Sequence, residues 1–190
     1  VRPRPYQKPH PPLARACLSD TSIMEMARLG RPVLLRGRSV VGVAANIRLY
    51  ADTMQAAGFD AASVEQALAQ TWVWYETHLA ETDDQAFEAF LPQFERASQY
   101  IAGMRERWNP RDQPLPKPPP PLPRAAYAPT PSRETNEALV GSPRRVTAQI
   151  ALLQQVGVRN LMLTNRGLMS PEQTWSSLKL MSEQVMPAFR

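Results

Sequence analysis

A single βα unit at the end of the chain constrains what the rest can be. Gly157 turns the backbone into Val158–Leu163, a short run that is polar only at Arg159 and Asn160 and reads as a buried parallel strand. Thr164–Gly167 follows as a polar loop. Ser170, Pro171, Glu172 and Gln173 then spell a helix start: an N-cap, a proline at the first position and an acid in the first turn. Trp175, Leu178, Leu180, Met181 and Val185 recur at helical spacing, and Pro187 is expected to stop the helix. One such unit cannot bury its own strand, so the rest of the chain must supply neighbours of the same kind.

Proline marks where those neighbours lie. Of the 20 prolines, five fall in residues 1–12 and ten in residues 110–131. Each fixes φ and removes a backbone donor, so both stretches are extended connections. Between them the chain alternates. Leu13–Leu18 (LARACL) reads as a strand, and Ser19–Ser22 (SDTS) as an N-cap cluster opening a helix that Gly30 ends. Pro32–Leu35 is a second buried strand with Arg36–Ser39 as its loop. Val40–Ala57 is a helix with Val43, Ala44, Ile47, Tyr50, Ala51 and Met54 on one face, closed by Gly58. Ser63–Ala69 is helical, Trp72–Thr77 is a strand by aromatic content, and Thr82 caps a helix over Asp83–Arg107. Residues 108–139 form a long connection containing PKPPPPLP. Ser142 then caps a helix from Pro143 to Gln155. Alternating strands and helices predict an α/β fold with a parallel sheet and right-handed crossovers. Four strands make either a small open sheet or half of a (β/α)8 barrel.

Composition excludes several functions. The net charge of +5 comes from scattered arginines without interleaved aromatics, so nucleic acid is not expected. No apolar run reaches the roughly 20 residues needed to span a bilayer, so no membrane association is expected and the chain reads as soluble. One cysteine, Cys17, rules out an internal disulfide, suits the cytoplasm, and lies in a strand as a buried small hydrophobe. No His, Cys or Asp spacing suits a metal, and no glycine-rich nucleotide loop is present. The chain opens on Val1 within a proline run, which suggests that it begins inside a larger protein.

Four blocks in register, PRPYQKPHPPL, SDTS…ARLGRPVLL, LVGSPRRV and GVRNLMLTNRG…EQTWSSLKLMSEQVMPAFR, resemble the luciferase-like flavin-dependent monooxygenases. The resemblance implies a (β/α)8 barrel of which residues 1–190 would be the carboxyl-terminal half, strands five to eight. The connection at 108–139 would be a lid over the flavin. It also implies a reaction: reduced FMN, supplied by a separate flavin reductase, activates dioxygen to oxidise an aldehyde-like or other small organic substrate. A deazaflavin such as F420 is the alternative cofactor.

By the same resemblance, Ser19 and Ser22 would hold the cofactor phosphate with help from the Thr21 backbone. Without it, the three residues are an ordinary helix cap. Some members carry an acid before that serine, where this chain has Leu18, and an aromatic after the second strand, where it has Arg36-Gly37. Arg36, His78, Thr164, Asn165 and Arg166 are the expected pocket wall, with His78 placed just after the aromatic strand. The catalytic residues are expected in the missing amino-terminal half, so the chain alone would be inactive and bind flavin weakly. Its open sheet edges predict homo-oligomers. The rival reading is a non-catalytic half-barrel that docks a partner through its PPPPLP run.

Overall fold

A computed structural model describes residues 4–8, 10–11, 13–37, 39–108, 137–165 and 169–189. The chain divides into two compact units, residues 1–75 with 152–162 and residues 76–151 with 163–190.

The first unit begins with β1 (Arg15–Cys17), α1 (Asp20–Arg28), β2 (Val33–Arg36), α2 (Val40–Ala56) and α3 (Ala61–Ala69), and then enters β3 (Trp72–Leu79). The strands are parallel and in simple register: Cys17 lies beside Leu35, and Leu35 beside Val73. Val33, Leu35 and Val73 are fully buried, whereas Leu34, Arg36 and Trp74 are only partly so. β2 therefore alternates instead of being buried on both faces as its sequence suggested; one face alone packs in the core with Ile23 and Ala27 of α1 and Val43, Tyr50 and Met54 of α2. Local chemistry sets the helix ends. Ser19, Ser39 and Asp60 accept first-turn N–H groups of α1, α2 and α3. The buried Tyr50 donates its hydroxyl to the Arg31 carbonyl at 2.7 Å. Late in the chain, Asn160 closes this unit by donating Nδ2 to the Ala69 and Thr71 carbonyls at 2.8 and 3.0 Å, while Arg159 pairs with Glu65.

The second unit holds the end of β3, α4 (Asp83–Trp108), β4 (Leu139–Gly141), most of α5 (Pro143–Gln155), the end of β5 (Asn160–Thr164) and α6 (Pro171–Leu180). A π turn, Met181–Val185, and a 3₁₀ turn, Met186–Phe189, follow α6. β3 pairs in parallel with β4, Thr77 beside Leu139 and Leu79 beside Gly141, and β5 also pairs with β3. Ala86, Phe87, Phe90 and Phe94 of α4 form one cluster with Ala138, Val140 and Met169. Burying each phenylalanine contributes on the order of 2–3 kcal/mol.

Four sequence expectations change. β4 is a strand where the sequence read only the end of a connection and the turn into the next helix. β5 is half-exposed, with Met162 at the surface. On α6 the inward face is Ser177 and Leu180, continuing through Met181 and Val185, while Trp175 and Leu178 point outward. Pro187 sits inside the 3₁₀ turn, because the helix has already loosened into the π turn before reaching it. Among the described residues no helix is long and apolar enough to cross a membrane. The lid expected at 108–139 falls almost wholly outside the described residues.

Candidate functional site

In the first unit, Leu18 leads from the carboxyl end of β1 into α1, and this is where parallel α/β sheets place ligands. Ser19 and Ser22 meet there across the first turn of α1. Ser19 Oγ accepts the Ser22 N–H at 3.3 Å, and Ser22 Oγ accepts the Ser19 N–H at 3.3 Å. The two hydroxyls lie 3.2 Å apart, and that of Ser22 donates to the Ser19 carbonyl at 2.7 Å. This is a complete capping box. The remaining first-turn donors are the N–H groups of Asp20 and Thr21, on an exposed helix start. Such donors suit an anion, but Asp20 brings a negative charge to the same turn.

Arg36 ends β2, the strand next to β1, so it stands at the same end of the sheet as Ser19. Its neighbour across the ladder is Trp74. Gly37, which follows, donates its N–H to the Trp74 carbonyl at 2.6 Å, and a Cβ on it would come within 2.5 Å of the Tyr75 ring. The Tyr75 ring thus fills the space that a side chain at 37 would need. Beneath the cap, Cys17 is buried, its thiol donating to the Arg15 and Ser22 carbonyls. Burial pushes its pKa up, the opposite of what a nucleophile requires.

In the second unit, His78 lies within β3 rather than after it, because the strand runs two residues further than its aromatic segment. It is 3% exposed, and its Nδ1 has no hydrogen-bond partner in the structure. Burial holds its pKa below the ordinary histidine value, so the ring is neutral at pH 7. With Leu79, Ala80, Gln85, Ser176 and Lys179 it lines an open cavity of about 610 Å³. Thr164 ends β5 half-buried, and Asn165 donates Nδ2 to Thr174 Oγ1 at 3.1 Å, which ties that loop to α6. Arg166 lies outside the described residues. The expected residues therefore form separate groups: Ser19, Thr21, Ser22 and Arg36 in the first unit, His78 and the Thr164–Asn165 loop in the second.

Sequence reasoning missed a junction in the second unit. Asp83 Oδ1 accepts the Ser142 N–H at 2.7 Å, and its other oxygen is 4.0 Å from Arg145, whose guanidinium lies 5.3 Å from the Phe87 ring centroid. The Ser142 N–H, more than the arginine, lowers the Asp83 pKa. Gly141 makes the approach possible at φ +148°; a Cβ there would meet Arg145 Cδ at 2.5 Å. The GSP motif was visible in the sequence, but its partner lies 59 residues away. Among the described residues no group of three or more His, Cys, Asp or Glu is placed to hold a metal.

A family model described as luciferase-like monooxygenase matches residues 1–160. The fold is similar to the monooxygenase RslO1 from Streptomyces bottropensis, at 23% identity and a TM-score of 0.63, covering all of this chain and 51% of that one. It is also similar to the oxygenating constituent of 3,6-diketocamphane monooxygenase from Pseudomonas putida, solved in complex with FMN, at 18% identity and a TM-score of 0.53, covering 94% and 49%. The coenzyme F420 dependent tetrahydromethanopterin reductase from Methanopyrus kandleri is 13% identical with a TM-score of 0.59, covering 94% and 51%. At these identities the likeness shows a shared fold. The chain spans about half the length of the structures it matches. No curated protein matches it.

Proposed function

The chain belongs to the luciferase-like monooxygenase family, and from that premise we propose that it is the carboxyl-terminal half of a (β/α)8 barrel acting as a flavin-dependent monooxygenase. The observation that carries this reading is the meeting of Ser19 and Ser22 at the start of α1, at the carboxyl end of β1.

Ser19 and Ser22 would hold the phosphate of FMN, or of a deazaflavin, through their hydroxyls, with the Thr21 N–H as a third donor. Their present bonds are to each other, so binding an anion exchanges a capping box for ligand contacts. The donor set fits a phosphate, and Asp20 weakens that fit. Arg36, at the end of the adjacent strand, would add a positive charge on the same side. When bound, the reduced flavin supplies the activation of dioxygen. The protein's part is to bind, orient and exclude water. In the second unit, His78 and Thr164–Arg166 are proposed to face a small organic substrate, with His78 neutral and therefore able to accept or donate one hydrogen bond without carrying charge. A separate reductase would supply reduced flavin, and a cytoplasmic setting suits the free Cys17. Pairing of open sheet edges would make the chain alone oligomeric.

The first test is the coding sequence upstream of Val1. Four further βα units are expected, and a stop codon or an unrelated domain there overturns the half-barrel reading. With those units present, reduced FMN, dioxygen and a long-chain aldehyde should yield the carboxylic acid. Replacing Ser19 and Ser22 by alanine should weaken FMN binding by about tenfold or more, the loss of one or two charge-assisted hydrogen bonds. The 190-residue chain alone should bind FMN more weakly than micromolar, and micromolar affinity would contradict the proposed division of the pocket.

A further inference from the structure

The cavity that His78 lines lies wholly within the second unit, between the first turns of α4 and one face of α6. Its floor is buried or half-buried: His78 at the end of β3, with Leu180 of α6 and Ala89 of α4. Its rim is exposed and charged. Glu172, Ser176, Lys179 and Glu183 recur at three- and four-residue steps, so they share one face of α6 and of the π turn after it. Glu81, just before α4, lines the cavity from the other side. Acidic side chains on a helix surface are ordinary. His78 is not, because its buried Nδ1 has no hydrogen-bond partner, and buried polar atoms are nearly always paired. An apolar floor with one such group is how small-molecule sites are built.

We propose that this cavity takes small organic molecules that carry a protonated amine. A hydroxyl or carbonyl at one end of the ligand bonds the His78 imidazole, its carbon chain lies on Leu180 and Ala89, and the ammonium at the other end meets Glu81, Glu172 and Glu183. The inference rests on the reading of His78 as a substrate-facing residue and adds to it the charge of the substrate. Two features select an organic cation. Three carboxylates stand at the rim against Lys179, the one cation among the lining residues. They attract an ammonium and oppose a carboxylate at the same place. The apolar floor speaks against an inorganic cation, and among the described residues no three His, Cys, Asp or Glu are placed to hold one.

Aminopentanol, pentanediol and hydroxypentanoate, each substituted at both ends, test the proposal, since they share a hydroxyl and a carbon chain and differ in charge. Titrated into the full chain, they are followed by NMR of the imidazole nitrogens. The chain has two histidines, and His10, exposed in the proline-rich entry, is the internal control that should not move. Aminopentanol should shift the His78 signals and bind about fivefold more tightly than pentanediol, with hydroxypentanoate weakest. Raised salt should erase that order. Replacing the exposed rim acids together (Glu81→Gln, Glu172→Gln, Glu183→Gln) should bring aminopentanol down to the affinity of pentanediol and leave pentanediol unchanged. Equal binding of aminopentanol and pentanediol at His78 overturns the proposal while leaving His78 as a substrate-facing residue, and so does a preference for the amine that survives loss of the three acids. No shift at His78 with any of the three probes overturns both.

Discussion

The backbone N–H of Leu79 donates to Ser177 Oγ at 2.9 Å, and both groups are buried although 98 residues separate them. A side chain of α6 thereby completes the hydrogen bonding at the end of β3. Ser177→Ala leaves that N–H without an acceptor away from water, which costs roughly 1–3 kcal/mol. The urea midpoint should fall with an unchanged slope, and Ser177→Thr should recover part of the loss. A midpoint unaltered by Ser177→Ala would mean that the bond contributes nothing.

Gly141 leaves room for Asp83 and Arg145 to approach by having no side chain. Gly141→Ala drives a methyl against Arg145 Cδ and Asp83 Oδ1 at a backbone angle that L residues avoid. Destabilisation of about 1–3 kcal/mol follows. The Ser142 N–H holds the Asp83 pKa below the ordinary carboxylate value. The stability this contact supplies is therefore present above that ordinary value and is lost as pH falls below about 4. Asp83→Ala should flatten that part of the acid limb, readable by thermal melts at about pH 3 to 5.

Tyr50 should ionise above the ordinary tyrosine range. Burial pushes its pKa up to about 12, so the unfolded chain, with an ordinary tyrosine, loses its proton first. The stability tied to Tyr50 is complete below about pH 10 and is lost as pH rises through the folded value. Absorbance at the tyrosinate band should show a late step that disappears in Tyr50→Phe. That variant should also lose about 1 kcal/mol with the bond to the Arg31 carbonyl.

His78 sets a slope at the acid side. Its folded pKa is depressed by burial, so the unfolded chain takes up a proton that the folded chain refuses. Stability should hold above about pH 6.5 and decline as pH falls from there toward the folded value. His78→Leu should remove that decline, and because Nδ1 has no partner to lose, it should do so with little cost at about pH 8.

Whatever depends on neighbouring residues was legible in the sequence. The caps at Ser19, Thr82, Ser142 and Ser170, and the turns at Gly58 and Gly157, are local chemistry, and each stands where the sequence puts it. β4 was not legible: three residues are too few to show a period, and Leu139–Gly141 is a strand only because Thr77–Leu79 lies beside it. The α6 face was misread because Trp175 and Leu178 outweighed Ser177, a polar residue buried by its bond to Leu79. The candidate site divides in the same way. Ser19–Ser22 could be read locally as a helix cap and was singled out as a phosphate site only through the family resemblance, whereas the burial of His78 depends on packing that no neighbouring residue announces.

The first unit is not contiguous in sequence. It needs residues 152–162, and Asn160 bonds the carbonyls of Ala69 and Thr71. On the ribosome, residues 1–75 emerge long before the segment that completes them, and the whole stretch 110–131 passes through the exit tunnel in between. The nascent chain must hold an unfinished sheet throughout that interval, with Trp72 already outside. The time taken to synthesise residues 76–159 thus sets how long that sheet stays open to chaperones.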